Sequence, residues 1–291
     1  MTDTAISIEL LCKSFPNFSL DAINMTVPRG AIYGFIGPNG AGKTTTIDLI
    51  LGMGNKDGGS IRVFGMDHLK EEVAIKRQIG YVSPDLDFHA WGRVGRAVKF
   101  YRSFFPDWDD RYCEELMARL KIGARDKIAT LSFGAKTKLS LILALSHRPA
   151  LLLLDEPLAG LDAIAKKDIF TELLEAVQDE ARTVLISSHN LDDIERFTDH
   201  LGIIHNGKMI LEGPTSELVE RFTLVDCVLP SGQAYSQGDG IYLQNREDGR
   251  FRFLVDQSAD ALNRLRDRGA EEITTTPVTL EELFVGLVKG H

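Results

Sequence analysis

At 291 residues, 44% of them apolar, the chain has enough material for a full hydrophobic core, which excludes an intrinsically disordered protein. A formal net charge of −9 argues against a general affinity for nucleic acid, and no nucleic-acid partner is expected. Cys12, Cys113 and Cys227 are odd in number, scattered and without C-x-x-C spacing, so neither a disulfide framework nor a zinc site is expected and a reducing cytoplasm fits.

From Met1 to Leu11 no basic start leads into a long apolar stretch, so no signal peptide is expected. Strands are predicted at Ile6 to Leu11, Phe18 to Val27, Ala31 to Ile36 and Ser60 to Phe64, making a mixed sheet. From Val73 to Leu145 the pattern turns mostly helical, with Tyr112, Leu116, Met117 and Leu120 on one helix face and Asp109 placed to cap it. The pairs Lys136/Lys138 and Lys166/Lys167 are expected on solvated helix faces.

Beyond this insert, a strand at Ala150 to Leu154, an amphipathic helix at Ala163 to Gln178 and a strand at Thr183 to Ser187 predict a parallel α/β core. Asn206-Gly207 between apolar runs predicts a two-residue hairpin. Strands at Leu224 to Leu229, Gly240 to Arg246 and Phe251 to Asp256, then helices at Ser258 to Arg268 and Thr279 to Val288, suggest a small α+β appendage over 224–291 after a main domain at 1–223. The longest apolar runs fall short of the ~20 residues of a membrane helix, so the chain is not expected to cross a membrane alone.

Two segments carry chemistry. Gly37-Pro38-Asn39-Gly40-Ala41-Gly42-Lys43-Thr44 matches G-x-x-x-x-G-K-[ST] in full, after a predicted strand and before a helical run that begins at Thr45. Its glycines let backbone N–H groups curl around phosphates, and the helix N-terminus adds favourable dipole charge. Lys43 is expected to neutralise the β- and γ-phosphates and Thr44 to offer its hydroxyl to Mg²⁺. Further on, the apolar run Leu151 to Leu154 ends in Asp155-Glu156. Asp155 is expected to hold Mg²⁺ through water, and Glu156 to polarise the attacking water as general base.

Leu131-Ser132-Phe133-Gly134-Ala135 lies between these segments, and Ala159-Gly160-Leu161-Asp162 and Ser187-Ser188-His189 follow them. In this order the motifs resemble the ATP-binding cassette (ABC) ATPases of transporters, from about Ser7 to Phe222. The resemblance implies an α/β P-loop cassette: a mixed β subdomain, a RecA-like parallel core and a helical subdomain at about 86–145. It implies an ATPase with ATP and Mg²⁺ as cofactors. It also implies a head-to-tail dimer, homodimer or heterodimer, with a second ABC ATPase subunit. Ser132, Gly134 and Asp162 would then serve the partner's ATP, and His189 would contact the γ-phosphate and the catalytic carboxylate. The family stacks adenine on an aromatic residue upstream of the loop, and Phe15 is the best match, with Phe18 as the alternative.

Two departures stand out. The family's Gln after Gly-Tyr is replaced, in Gly80-Tyr81-Val82-Ser83-Pro84-Asp85, by Pro84, which has no side-chain donor or acceptor; its role is lost or moved to Asp85, a candidate Mg²⁺ contact. Phe133 and Ala135 replace the usual Gly and Gln of the signature. Phe100 to Leu120 and the ending Val278 to Leu287 resemble cassettes of bacterial ABC-2 type exporters, whose integral membrane permease is a separate chain. The aromatic stretch Phe88 to Phe105 suits either a docking groove for that permease or the packing of the helical subdomain. This places the protein in the cytoplasm, peripheral on the inner face of the cell membrane. The alternatives are a soluble ABC ATPase acting on nucleic acid or ribosomes, against which the single cassette and acidic balance speak, and a non-hydrolytic regulatory subunit, against which Glu156 and His189 speak.

Overall fold

The computed structural model describes residues 4–84, 86, 88–180, 182–191, 195, 197–230, 240–247, 249–257 and 260–290. Contacts divide the chain into two compact units, Met1–Met209 and Ile210–His291.

In the first unit, β1 (Thr4–Phe15) and β2 (Phe18–Pro28) form an antiparallel hairpin that closes on the pair Phe15 and Phe18. With β4 (Gly58–Val63) and β5 (Met66–Asp67) they make a sheet in the order β2-β1-β4-β5. A second sheet gathers β3 (Ile32–Ile36), β6 (Ile79–Val82), β7 (Leu151–Leu154), β8 (Thr183–Ser188), β9 (His200–His205) and β10 (Lys208–Pro214) in the order β10-β9-β3-β8-β7-β6. β3 pairs in parallel with β8 and β9, and β7 with β6 and β8. Every residue of β7 and β8 is buried, as in strands covered on both faces, and β7 is an unbroken apolar run. Ile6, Ile8, Phe35, Ile47, Leu151 and Leu185 share one core cluster between the two sheets and the helix α1 (Lys43–Ile50).

The segment expected to be mostly helical after Val73 is interrupted by a strand. α2 (Glu72–Lys76) gives way to β6, whose four residues are too short to show a period and become a strand only by pairing with β7. The helices α3 (Val94–Arg102), α4 (Asp110–Arg119) and α5 (Phe133–Leu145) follow. Asp109 caps α4 as expected, accepting the Tyr112 N–H at 2.9 Å. Lys138 does not lie on a solvated face: its side chain is 14% exposed and pairs at 2.6 Å with Asp168 of α6 (Ala163–Glu180), tying α5 to α6.

The second unit contains α7 (Thr215–Arg221) and an antiparallel sheet of β11 (Phe222–Val228), β12 (Ile241–Glu247), β13 (Arg250–Asp256) and β14 (Glu271–Pro277), in the order β12-β13-β11-β14. Val225, Cys227, Phe251, Phe253 and Val255 pack with Ala261 and Leu265 of α8 (Ala261–Asp267). α9 (Leu280–Gly290) begins with a reciprocal cap: Thr279 Oγ1 accepts the Glu282 N–H at 3.2 Å, and Glu282 accepts the Thr279 N–H at 2.9 Å. β14 was not expected from the sequence. Its Glu271-Glu-Ile-Thr-Thr-Thr-Pro run is largely exposed on an edge, so no alternation marks it.

The expected hairpin turn is present, with Asn206 and Gly207 both at positive φ (47° and 73°). Gly207 donates to the Ala41 carbonyl at 3.0 Å and accepts from Asp21 N–H at 2.9 Å, so this turn braces the phosphate-loop segment. A Cβ at Gly207 would run into the Ser19 carbonyl. Gly207→Ala is therefore expected to lower stability by about 1–3 kcal/mol, read as a lower denaturation midpoint with an unchanged slope in urea.

Candidate functional site

Strand β3 delivers the phosphate loop to the C-terminal edge of the parallel sheet, where α/β folds bind ligands. The loop needs glycine for two reasons. A Cβ on Gly37 would strike the Ile204 carbonyl, and Gly42, at φ 116°, would bring one to 2.6 Å from Leu20. Gly42 is also the N-cap of α1, so its conformation turns the chain from loop to helix.

Lys43, the first residue of α1, is 5% exposed and donates to the carbonyls of Gly37 at 2.7 Å and Pro38 at 3.2 Å. Its ammonium is thus folded back into the mouth of the loop. Asn39, Gly40 and Thr44 are exposed, Pro38 and Thr45 are half-buried, and Ala41 is buried.

The carboxylates come from the end of β7. Leu154 pairs with Ile186 of β8, which sets Asp155 beside Ser187. Ser187 Oγ donates to Asp155 Oδ1 at 2.5 Å and accepts the Glu156 N–H at 2.9 Å. Asp155 is 2% exposed. Glu156 sits at φ 45°, a left-handed conformation that costs a non-glycine residue roughly 1–2 kcal/mol. The turn aims its carboxylate between two partners: Oε1 lies 3.1 Å from Lys43 Nζ, an ion pair not aligned as a hydrogen bond, and Oε2 lies 2.8 Å from His189 Nδ1. Lys43, Asp155, Glu156 and His189 therefore converge. Ser187, at the centre, had been assigned no role; it stood within the Ser187-Ser188-His189 motif, but its two hydrogen bonds follow from strand register.

Ser132 and Asp162 lie at two helix starts. Ser132 caps α5, accepting the Ala135 N–H at 3.2 Å, and Asp162 accepts the Ala165 N–H of α6 at 2.8 Å. The starts are packed together, since a Cβ on Gly134 would lie 3.2 Å from Ala165 Cβ. Ser132, Phe133 and Asp162 are exposed.

At the turn of the β1–β2 hairpin Phe15 is 48% exposed, its ring 6.4 Å from that of Phe18 and 5.5 Å from Lys13 Nζ. Phe18 is half-buried and packs on the core. Pro84 is exposed just past β6, and Asp85 lies outside the described residues.

A second concavity, of about 330 Å³, lies away from the phosphate loop. Its walls include Met53, Tyr81, Phe88, Tyr101, Phe105 and His147. Part of the aromatic stretch packs: Phe88 is 3% exposed and lines this groove. The His147 ring stacks on Phe105 with centroids 3.8 Å apart, and its Nε2 is 3.0 Å from the Ile79 carbonyl. Burial pushes His147 down to about 4.

Comparison with known proteins identifies the family. The family described as ABC transporter matches residues 20–159. The chain is 30% identical over 288 residues to the ABC transporter ATP-binding protein YtrB of Bacillus subtilis, covering 98% of each chain. It is 32% identical to the bacitracin transport ATP-binding protein BcrA of Bacillus licheniformis, covering 94% of this chain and 93% of that one. It is also 32% identical to a Nod factor export ATP-binding protein of Neorhizobium galegae, over 92% of this chain and 80% of that one. Among solved structures, an ATP-binding cassette of an ABC transporter in its ADP conformation superposes with a TM-score of 0.62 at 27% identity, covering 74% of this chain and 92% of that one.

Two expectations follow. Ser187→Ala leaves the Glu156 N–H without its acceptor and Asp155 without its positioning donor, and should lower ATP turnover about 10–100-fold while ATP binding persists. A steady-state assay with a nucleotide-binding measurement checks this. His147 binds its proton more weakly folded than unfolded, so the stability it withholds is fully regained only above pH 6.5 and is lost as pH falls toward 4. That loss is up to about 3 kcal/mol, and His147→Gln should flatten the stability profile across the same window.

Proposed function

The chain belongs to the ATP-binding subunits of ABC transporters, and from that premise we propose that two cassettes close around ATP and Mg²⁺ to drive a separate membrane permease in export. The convergence of Lys43, Glu156 and His189 at the C-terminal edge of the sheet carries this reading. The protein is an ATPase.

An ATP phosphate entering the loop meets the backbone N–H groups of Gly40 to Thr45 and competes with the Gly37 and Pro38 carbonyls for Lys43. Phe15 offers a ring face to the adenine. As phosphate draws Lys43 away, Glu156 is left to polarise a water toward the γ-phosphorus. The new oxygen–phosphorus bond forms as the bond to the β-phosphate oxygen breaks, and ADP and phosphate leave. His189 orients the carboxylate through Nδ1 and stabilises charge developing on the γ-phosphate.

The donor set fits Mg²⁺. The Thr44 hydroxyl and the Asp155 carboxylate are hard oxygens, the ligand type that Mg²⁺ takes alongside phosphates and water. Bound there, it would neutralise charge on the β- and γ-phosphates. Asp85 remains a candidate contact.

Exposed Ser132 and Asp162, with half-buried Gly134 between their two packed helix starts, would complete the site of a second cassette. The aromatic groove beside β6 would take a cytoplasmic helix of the permease. With Pro84 in place of the family's Gln, this groove is linked to the site through β6 itself: Asp155 N–H donates to the Val82 carbonyl at 2.8 Å. The cassette is read as 1–223, with 224–291 as an accessory unit. No helix among the described residues is long and apolar enough to cross a membrane.

The decisive variant is Glu156→Gln. It should bind ATP, lose about 100-fold or more of turnover, run as a dimer only with ATP, and co-purify with a multi-span membrane protein. Turnover within a few-fold of wild type would remove Glu156 from the mechanism, and a monomer at saturating ATP would remove the clamp.

A further inference from the structure

Between Phe88 and Pro106 the chain carries Arg93, Arg96, Lys99 and Arg102 but no Asp or Glu, against a net charge of −9 for the whole. The same stretch holds Phe88, Trp91, Phe100, Tyr101, Phe104 and Phe105. Helix α3 sorts these residues by face. Val94 and Ala97 are buried and Tyr101 is half-buried, whereas Arg96, Lys99, Phe100 and Ser103, at i, i+3, i+4 and i+7, are exposed together.

The exposed rings form a ridge. Phe100 and Phe104 are 43% and 57% exposed with centroids 4.9 Å apart, and Trp91 stands 5.0 Å from Phe100. Arg102 pairs with Asp110, and the Arg93 guanidinium donates to the Arg125 carbonyl. Among the described residues no carboxylate pairs with Arg96 or Lys99.

Rings half in solvent beside unpaired cations match the chemistry of a bilayer interface, where aromatic residues sit at headgroup depth and basic side chains meet phosphates. A protein interface core is enriched in aromatic residues and arginine as well but depleted of lysine, so it is Lys99 among these residues that favours a headgroup surface. The sign of the charge matters as well: an anionic surface repels the chain as a whole, which leaves the face carrying Arg96 and Lys99 as the part able to approach it, while Asp110 and Glu114 flank the other side of α3 at Gly95 and Val98. We propose that the exposed face of α3, with Trp91 and Phe104 beside it, rests on anionic phospholipid headgroups. Arg96 and Lys99 meet the phosphates, while Phe100 and Phe104 enter the interfacial layer.

Each basic side chain near such a surface strengthens binding about fivefold, so two unpaired cations orient the subunit rather than anchor it. The inference goes beyond the transporter reading and is tested apart from it, since vesicle binding by the purified chain requires neither ATP nor a permease.

The test is sedimentation of the full chain with vesicles of phosphatidylcholine alone or mixed with phosphatidylglycerol, at low and high salt. We expect binding to the phosphatidylglycerol vesicles that weakens with salt and is accompanied by a blue-shifted tryptophan emission lost in Trp91→Phe. The double variant Arg96→Gln/Lys99→Gln should bind about 25-fold more weakly, and Phe100→Ser/Phe104→Ser should also bind more weakly. Both should keep wild-type ATP turnover in vesicle-free solution, which shows that they fold. Equal binding to both vesicle types, binding that survives both double variants, or no binding at all overturns the proposal. If binding is absent and the same variants lose a co-purified permease, the face belongs to that protein instead.

Discussion

The parallel register of β7 against β8 sets the nucleotide site. Because Leu154 pairs with Ile186, the next residue on each strand, Asp155 and Ser187, meet at hydrogen-bond distance, and Ser187 then holds the Glu156 N–H as well. A shift of one residue would turn these side chains to opposite faces of the sheet and dissolve the cluster. β3, paired on the other side of β8, brings Gly37 against the same edge, where its N–H donates to the Ser188 carbonyl at 3.3 Å. Three buried strands thus place the loop, the two carboxylates and His189 together. The depth of their burial keeps the arrangement rigid.

Glu156 occupies a strained backbone conformation, at φ 45°, and its carboxylate lies between Lys43 and His189. Lys43 on one oxygen and His189 on the other hold it there. Strain of this kind persists only where the surroundings over-determine it. Here the fully buried strands β7 and β8 supply that constraint.

The helical segment serves a different physical purpose. Its aromatic residues line a groove on one side and form an exposed ridge on the other, and the switch occurs between adjacent residues: Tyr101 faces the groove while Phe100 stands on the ridge. Helix periodicity alone produces that division. β6 runs from the groove wall, at Ile79 and Tyr81, to the Val82 carbonyl that receives the Asp155 N–H. A ligand in the groove and a nucleotide at the site would therefore press on the same short strand.

Much of this is legible in the sequence. The phosphate loop, Asp155-Glu156, the Asp109 cap and the Asn206-Gly207 turn depend on residues adjacent in the chain, whose backbone preferences and short-range hydrogen bonds are written locally. Other features were not legible. β6 is four residues long and β14 is an exposed edge, so neither shows a period, and each exists because a partner strand completes its hydrogen bonds. Lys138 looked solvated because Asp168 is 30 residues away. Ser187 looked like one serine among two, because its importance lies in what stands beside it. The sequence by itself determined the chemistry available and the order in which it is delivered. The tertiary structure alone decided which carboxylate oxygen meets Lys43 and which meets His189, because that geometry depends on strand register and burial, which no local stretch of chain contains.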